Sequence, residues 1–95
     1  MVEKISRNWT IRVSSKAEKY LAKLAKSTKD SIKAELALLS TYEKPLQHPD
    51  AKPLLDPLKG MNRLRVGKYR VIFSILEKER IIAVVNIAPR GDVYK

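Results

Sequence analysis

Leu58–Leu76, LKGMNRLRVGKYRVIFSIL, is the stretch that decides the fold, and it carries Lys59, Arg63, Arg65, Lys68 and Arg70 with no acidic residue. Gly67-Lys68 separates two short runs with strand alternation, and glycine at the first central position is what a two-residue type II′ hairpin turn requires. Arg63 to Val66 and Tyr69 to Glu77 therefore read as one hairpin. A two-residue loop fixes its register: Val66 opposite Tyr69, Arg65 opposite Arg70, Leu64 opposite Val71 and Arg63 opposite Ile72. Side chains alternate with period two, so Leu64, Val66, Tyr69, Val71, Phe73 and Ile75 form one apolar face. The other face carries Arg63, Arg65 and Arg70. Like charges directly opposed across strands cost up to roughly 1 kcal/mol, so the Arg65–Arg70 pair points to an anion between them. A phosphate matches the planar donor fork of a guanidinium. The alternative is two arginines splayed into water on a solvated sheet face.

Working outward, Asn8 to Val13 (NWTIRV) alternates Trp9, Ile11 and Val13 against Thr10 and Arg12, as a first strand does. Ser15-Lys16-Ala17-Glu18 fits a capping box. After it, Ala17, Tyr20, Leu21 and Leu24 make one helical stripe, with Lys16, Lys19, Lys23 and Lys26 on a solvated face. Ser27 to Asp30 offers the cap for a second helix from about Thr28 to Tyr42, whose stripe is Ile32, Leu36 and Leu39. The tight link between the two predicts a helical hairpin lying on one side of a sheet. Glu43 to Pro57 holds four prolines in fifteen residues and reads as a connection without a regular element. His48, the only histidine, lies in it and reads as polar surface. After Glu77-Lys78-Glu79-Arg80, a poor primed-turn sequence, Ile81 to Ala88 forms a long apolar last strand that is central or covered on both faces. Asn86 interrupts it without an evident role, and Pro89 ends it before an irregular tail.

The expected architecture is thus α+β: a small antiparallel sheet of about four strands in the order β-α-α-β-β-β, with a helical hairpin on one face and the arginine-bearing face open. Ninety-five residues make one domain, 1–95, with room for one sheet and one helical layer. A hydrophobic fraction of 44% separates it from disordered chains. The formal charge of +10 favours a polyanionic partner, whether nucleic acid, a membrane surface or an acidic protein. Residues 58–95 hold nine basic and three acidic side chains, against eleven and seven before them, so the excess is denser towards the C-terminus. Cysteine is absent, which removes disulfide and thiolate chemistry. No apolar run approaches the roughly 20 residues of a membrane span, and MVEKISRNWT lacks a signal-peptide core, so a soluble, cytoplasmic protein is expected.

Paired histidines, a carboxylate pair, a metal-ligand cluster and a nucleophilic triad are all missing from the sequence. What remains is Arg63, Arg65, Arg70 and Arg90, with Tyr94 near the end. Such a set moves protons poorly, but it can hold a phosphate and stabilise charge that builds on it. Tyr94 could stack on an unpaired base, or pack against the sheet edge.

The pattern G-M-x-R-L-R-V-G-x-Y-R-V-I-F from Gly60 to Phe73, a hydrophobic strand, and then P-R-x-x-V-Y from Pro89 to Tyr94 resembles the RelE toxins of bacterial and archaeal toxin–antitoxin systems. The likeness covers nearly the whole chain, its C-terminal motifs being more specific than its helices. It implies the RelE-like, microbial-ribonuclease type of fold and an endoribonuclease that enters the ribosomal A site and cuts the messenger there without a metal or other cofactor. The ribose 2′-hydroxyl attacks the adjacent phosphate, leaving a cyclic phosphate and a 5′-hydroxyl. Carried over by position, Arg70 and Arg90 bind and stabilise the scissile phosphate and Tyr94 stacks on a base. Arg63 and Arg65 stand where some members have lysines proposed to help activate the 2′-hydroxyl. Arginine, with a pKa above ~12, is a poor general base, so an electrostatic role is expected for these two. Lys68 or Lys59 is left as a substitute base and as a phosphate contact. The resemblance also implies a cognate antitoxin, with oligomers formed only through that complex. Two rivals stand beside it: the related ParE toxins, which poison DNA gyrase, and an inactive antitoxin- or nucleic-acid-binding module.

Overall fold

A computed structural model describes residues 8–55 and 60–89. Its elements are β1 (Thr10–Val13), α1 (Ser15–Ala22), α2 (Lys26–Leu39), a 3-10 turn (Pro45–Gln47), β2 (Ala51–Pro53), β3 (Asn62–Val66), β4 (Tyr69–Leu76) and β5 (Ile81–Pro89). The five strands among the described residues form one sheet in the order β1-β5-β4-β3-β2.

The expected sheet of about four antiparallel strands is corrected in two places. β1 runs parallel to β5, pairing Thr10 with Ile81 through Val13 with Val84. A short turn dictates antiparallel pairing for β3–β4 and β4–β5. No turn links β1 to any strand, so its direction is set by where the helical hairpin returns the chain. The extra strand, β2, pairs antiparallel with β3, Ala51 opposite Leu64 and Pro53 opposite Asn62. Three residues ending in proline carry no alternation to read. Proline is tolerated there because β2 is a sheet edge. The apolar β5 lies between β1 and β4, as its composition implied.

Both helices pack on the face predicted to receive them. Leu21, Ile32, Leu36 and Leu39 are buried against Leu64, Val66, Val71 and Phe73 of the hairpin and Ile82, Val84 and Ile87 of β5. Tyr20 meets Tyr69 edge-to-face at 6.4 Å between ring centroids. Lys16, Lys19, Lys23 and Lys26 are exposed. The helix starts differ from expectation. Ser14, not Ser15, caps α1: its Oγ accepts from Ala17 N at 3.1 Å and donates to Val85 O at 3.2 Å. The contact with β5, invisible locally, selects between the two serines. Ser14→Ala is expected to cost about 1 to 2 kcal/mol, the range of a lost N-cap, measured as a lower urea midpoint at unchanged slope. α2 begins at Lys26, with Ala25 as an N-cap that makes no side-chain bond, and ends at Leu39 rather than Tyr42. The Lys26–Asp30 ion pair at 2.8 Å spans its first turn.

The turn from β4 to β5 is the four-residue loop 77–80, closed by Arg80 N donating to Glu77 O at 3.2 Å. Arg80 sits at φ +58°, where L-residues are disfavoured. Its guanidinium lies 4.4 Å from the Trp9 ring centroid and its Nε donates to Asn8 O at 3.1 Å. These contacts offset the strain and tie the turn to the start of β1. Within β5 the register shifts, so that Ile72 faces Asn86 while Phe73 faces Val84 and Val85 is left as an extra residue. Asn86 acquires a role there: its Oδ1 accepts from Ile87 N at 3.0 Å beside the bulge.

Candidate active site

The β3–β4 hairpin has the register that its turn dictates, with Val66 opposite Tyr69, Arg65 opposite Arg70, Leu64 opposite Val71 and Arg63 opposite Ile72. Gly67 has φ +58°, and Arg80 is the only non-glycine with positive φ among the described residues. Positive φ confined to the first central position is the type II′ pattern. The pair flanking a two-residue loop is hydrogen-bonded, so the next pair, Arg65–Arg70, is the non-bonded kind whose side chains stand closer together. The same alternation points the Arg65 N–H away from β4, towards the edge of the sheet.

At that edge lies a residue the sequence reading missed. The Asp50 carbonyl accepts from Arg65 N at 3.0 Å and from Arg63 Nη1 at 3.0 Å. The Asp50 carboxylate Oδ1 is 3.9 Å from Arg65 Nη2, and both side chains are about half exposed. One aspartate thus holds two arginines from the flank of β3, and part of the charge relief assigned to an external anion comes from the protein. Asp50 lies five residues C-terminal to Pro45 in a segment that looked irregular. Only its place next to β3 reveals the contact.

His48, expected as polar surface, is buried at 3% exposure. Asp50 N–H donates to its Nδ1 at 2.9 Å. A backbone amide can only donate, so Nδ1 is unprotonated and the ring proton lies on Nε2, which donates to Glu35 Oε1 at 2.9 Å. The Tyr42 ring packs beside the imidazole at 5.5 Å. Glu35 on α2, His48 and Asp50 therefore form a continuous strut from the helical layer to the arginines of β3. The sequence signal was His48-Pro49-Asp50 itself, but a histidine followed by proline has no local pattern that announces burial.

Thr28, Ser31 and Glu35 of α2, with Asp50, Arg65 and Lys68, line a cleft of about 540 Å3 at the hairpin tip. The arginine face is not wholly open, which corrects the expectation: Leu54 and Ile72 are buried there, with Met61, Val85 and Ala88 packed against them. Leu54, held by its N–H donating to Met61 O at 2.9 Å, folds over the sheet just after β2. Arg70 pairs with Ala88 across β4–β5, so it stands between this apolar cover and Arg65. Arg63, Arg65, Lys68 and Arg70 are thus brought to one end of one hairpin. Lys59, Arg90 and Tyr94 lie outside the described residues. Among the described residues, no group of three or more His, Cys, Asp or Glu side chains is placed to hold a metal ion, and no helix is long and apolar enough to cross a membrane.

Comparison with known proteins gives a family match and a consistent set of structural likenesses. Residues 11–94 match the model of the ParE toxin of the type II toxin–antitoxin system parDE. The chain is similar to a chain of the RelBE2 toxin–antitoxin complex from Mycobacterium tuberculosis, with a TM-score of 0.74 and 27% identity over 96% of this chain and 100% of that one. It is similar to a chain of the archaeal RelE–RelB complex from Pyrococcus horikoshii, with a TM-score of 0.74 and 25% identity over 90% and 99%. YafQ from E. coli shares the fold, with a TM-score of 0.68 at 18% identity over 92% and 99%. No curated protein matches the chain in sequence.

Proposed function

The chain belongs to the ParE toxin family of type II toxin–antitoxin systems, within the RelE/ParE superfamily, and from that premise we propose that this toxin is a ribosome-dependent endoribonuclease cutting messenger RNA in the A site. The observation that carries the reading is the direct opposition of Arg65 and Arg70 on one sheet face, with Arg63 beside them and Lys68 on the turn. This arrangement concentrates positive charge on one side of the sheet. It suits a phosphodiester whose negative charge grows in the transition state.

In the proposed reaction the 2′-oxygen attacks the adjacent phosphorus and the bond to the 5′-oxygen breaks, giving a cyclic phosphate and a 5′-hydroxyl. Arg70 and Arg65 hold the nonbridging oxygens, and Arg63 adds positive potential. By the resemblance to RelE toxins, Arg90 joins the phosphate contacts, Lys59 and Lys68 contact the backbone, and Tyr94 stacks on a base. The ribosome supplies placement of the substrate, which can account for much of the rate in a site poor in proton carriers. The cognate antitoxin is the proposed partner that keeps the toxin silent. The structures of RelBE2 and of the archaeal RelE–RelB pair, both toxin–antitoxin complexes, support such a partner, and the +10 charge suits an acidic one. The proposed compartment is the cytoplasm, where ribosomes are.

The test is primer extension on a defined messenger with purified toxin, with and without programmed ribosomes. Cuts inside the A-site codon are expected with ribosomes, and weak or no cleavage of free RNA. The family match itself favours one second reading, that of a gyrase poison like the ParE toxins. No cuts under either condition, with double-strand DNA breaks on adding gyrase, would select it.

A further inference from the structure

We propose that Asp50 is the general base that takes the proton from the attacking 2′-hydroxyl, an inference that rests on the endoribonuclease reading above. The arginines cannot serve as base, so the reaction needs a proton acceptor beside them. Two carboxylates line the cleft at the hairpin tip, those of Glu35 and Asp50. Glu35 already has Oε1 engaged by the buried His48. The Asp50 carboxylate is 47% exposed, and its Oδ1 lies 3.9 Å from Arg65 Nη2. That separation is well beyond the roughly 2.7–2.9 Å of a charge-assisted hydrogen bond. Both groups thus remain available to a substrate: the guanidinium to a phosphate oxygen, and the carboxylate to a hydroxyl next to that phosphate.

The placement of Asp50 is fixed by its main chain rather than by its side chain. Its N–H is held by His48 Nδ1 at 2.9 Å, and its carbonyl by Arg65 N and Arg63 Nη1, each at 3.0 Å. His48 is in turn braced by Glu35 on α2 at 2.9 Å. Three contacts thus fix the main chain that carries the carboxylate, and side-chain replacement leaves all of them in place. In the step itself the 2′-O–H bond breaks and its proton passes to an Asp50 oxygen. The 2′-oxygen then bonds phosphorus, the 5′-oxygen departs and takes a proton from water, and Asp50 releases its proton to solvent. Among the described residues, Lys68, on the turn, is the competing base. Asp50 differs from it in how activity should respond to acid.

Single-turnover cleavage on programmed ribosomes, measured against pH for the wild type, Asp50→Asn, Asp50→Glu and Lys68→Met, tests the assignment. Asp50→Asn is expected to slow the chemical step about 100-fold or more, within the usual range for a general base, with the half-saturating toxin concentration changed less than about threefold. The acid limb of the rate profile, which reports protonation of the base, should vanish in Asp50→Asn and return, with part of the rate, in Asp50→Glu. Unchanged melting of Asp50→Asn serves as the folding check. A wild-type rate for Asp50→Asn would overturn the assignment. So would a loss confined to half-saturation, which would make the carboxylate only an orienting partner of Arg65, or loss of the limb in Lys68→Met alone. Absence of cleavage by the wild type would instead remove the endoribonuclease reading, and the assignment with it.

Discussion

Arg70→Ala is expected to lower ribosome-dependent cleavage about 100- to 1,000-fold, the usual effect of deleting one preorganised donor at a developing oxyanion. Arg70 stands opposite Arg65 in the hairpin register and beside the apolar cover built on Leu54 and Ile72. Removing Arg70 leaves Arg65, whose neighbour Asp50 already offsets part of its charge, as a weaker clamp. Arg70→Lys retains the charge without the planar fork and should recover only part of the loss. Growth arrest on expression should disappear with Arg70→Ala. Arrest that persists with messengers intact would place the toxicity in binding alone or in gyrase, and would end the phosphate-clamp interpretation. Melting within a few degrees of the wild type is the control, because Arg70 is not among the residues of the main core.

The largest effect on stability is expected from Phe73→Ala, at about 3 to 5 kcal/mol. Phe73 is fully buried at the centre of β4, in the core that also contains Ile32, Leu39, Leu64 and Val84. It also pairs with Val84 beside the β5 register shift, where the backbone has one extra residue and few ways to collapse into a void. A domain of this size has a total stability of about 5–15 kcal/mol, so the variant should be marginal at 37 °C. Urea unfolding followed by tryptophan fluorescence measures this, because Trp9 is buried in the same core. A cost below about 1 kcal/mol would mean that the helices are not seated on this face of the sheet.

Both residues belong to what the sequence makes legible. Arg70 and Phe73 were both assigned their faces from period two alone, and the Arg65–Arg70 opposition from a two-residue turn, because hairpin geometry is local and its consequences propagate residue by residue along both strands. The helical stripes were legible for the same reason: an amphipathic face is written at fixed spacing, and the apolar face of the hairpin is the surface that receives it. The helix cap was nearly legible. Ser14 and Ser15 are equivalent in sequence, and the bond to the Val85 carbonyl selects one.

The missed elements all depend on contacts between segments far apart in the chain. The parallel pairing of β1 with β5 joins residues about seventy positions apart with no connecting turn to set its sense. β2 exists because the edge of β3 offers hydrogen bonds to whatever backbone passes it, proline included. His48 reads as loop polarity in the sequence, and nothing there singles out Asp50. A buried histidine is possible only where Glu35 of α2 and the Asp50 amide satisfy its two nitrogens, and neither partner announces itself by spacing. The sequence by itself determined the hairpin, its register and its two chemically distinct faces, since these follow from side-chain alternation and one glycine. Only the tertiary structure decided that a carboxylate would stand among the arginines, because that depends on how the proline-rich connection returns to the sheet edge and finds partners for its polar groups.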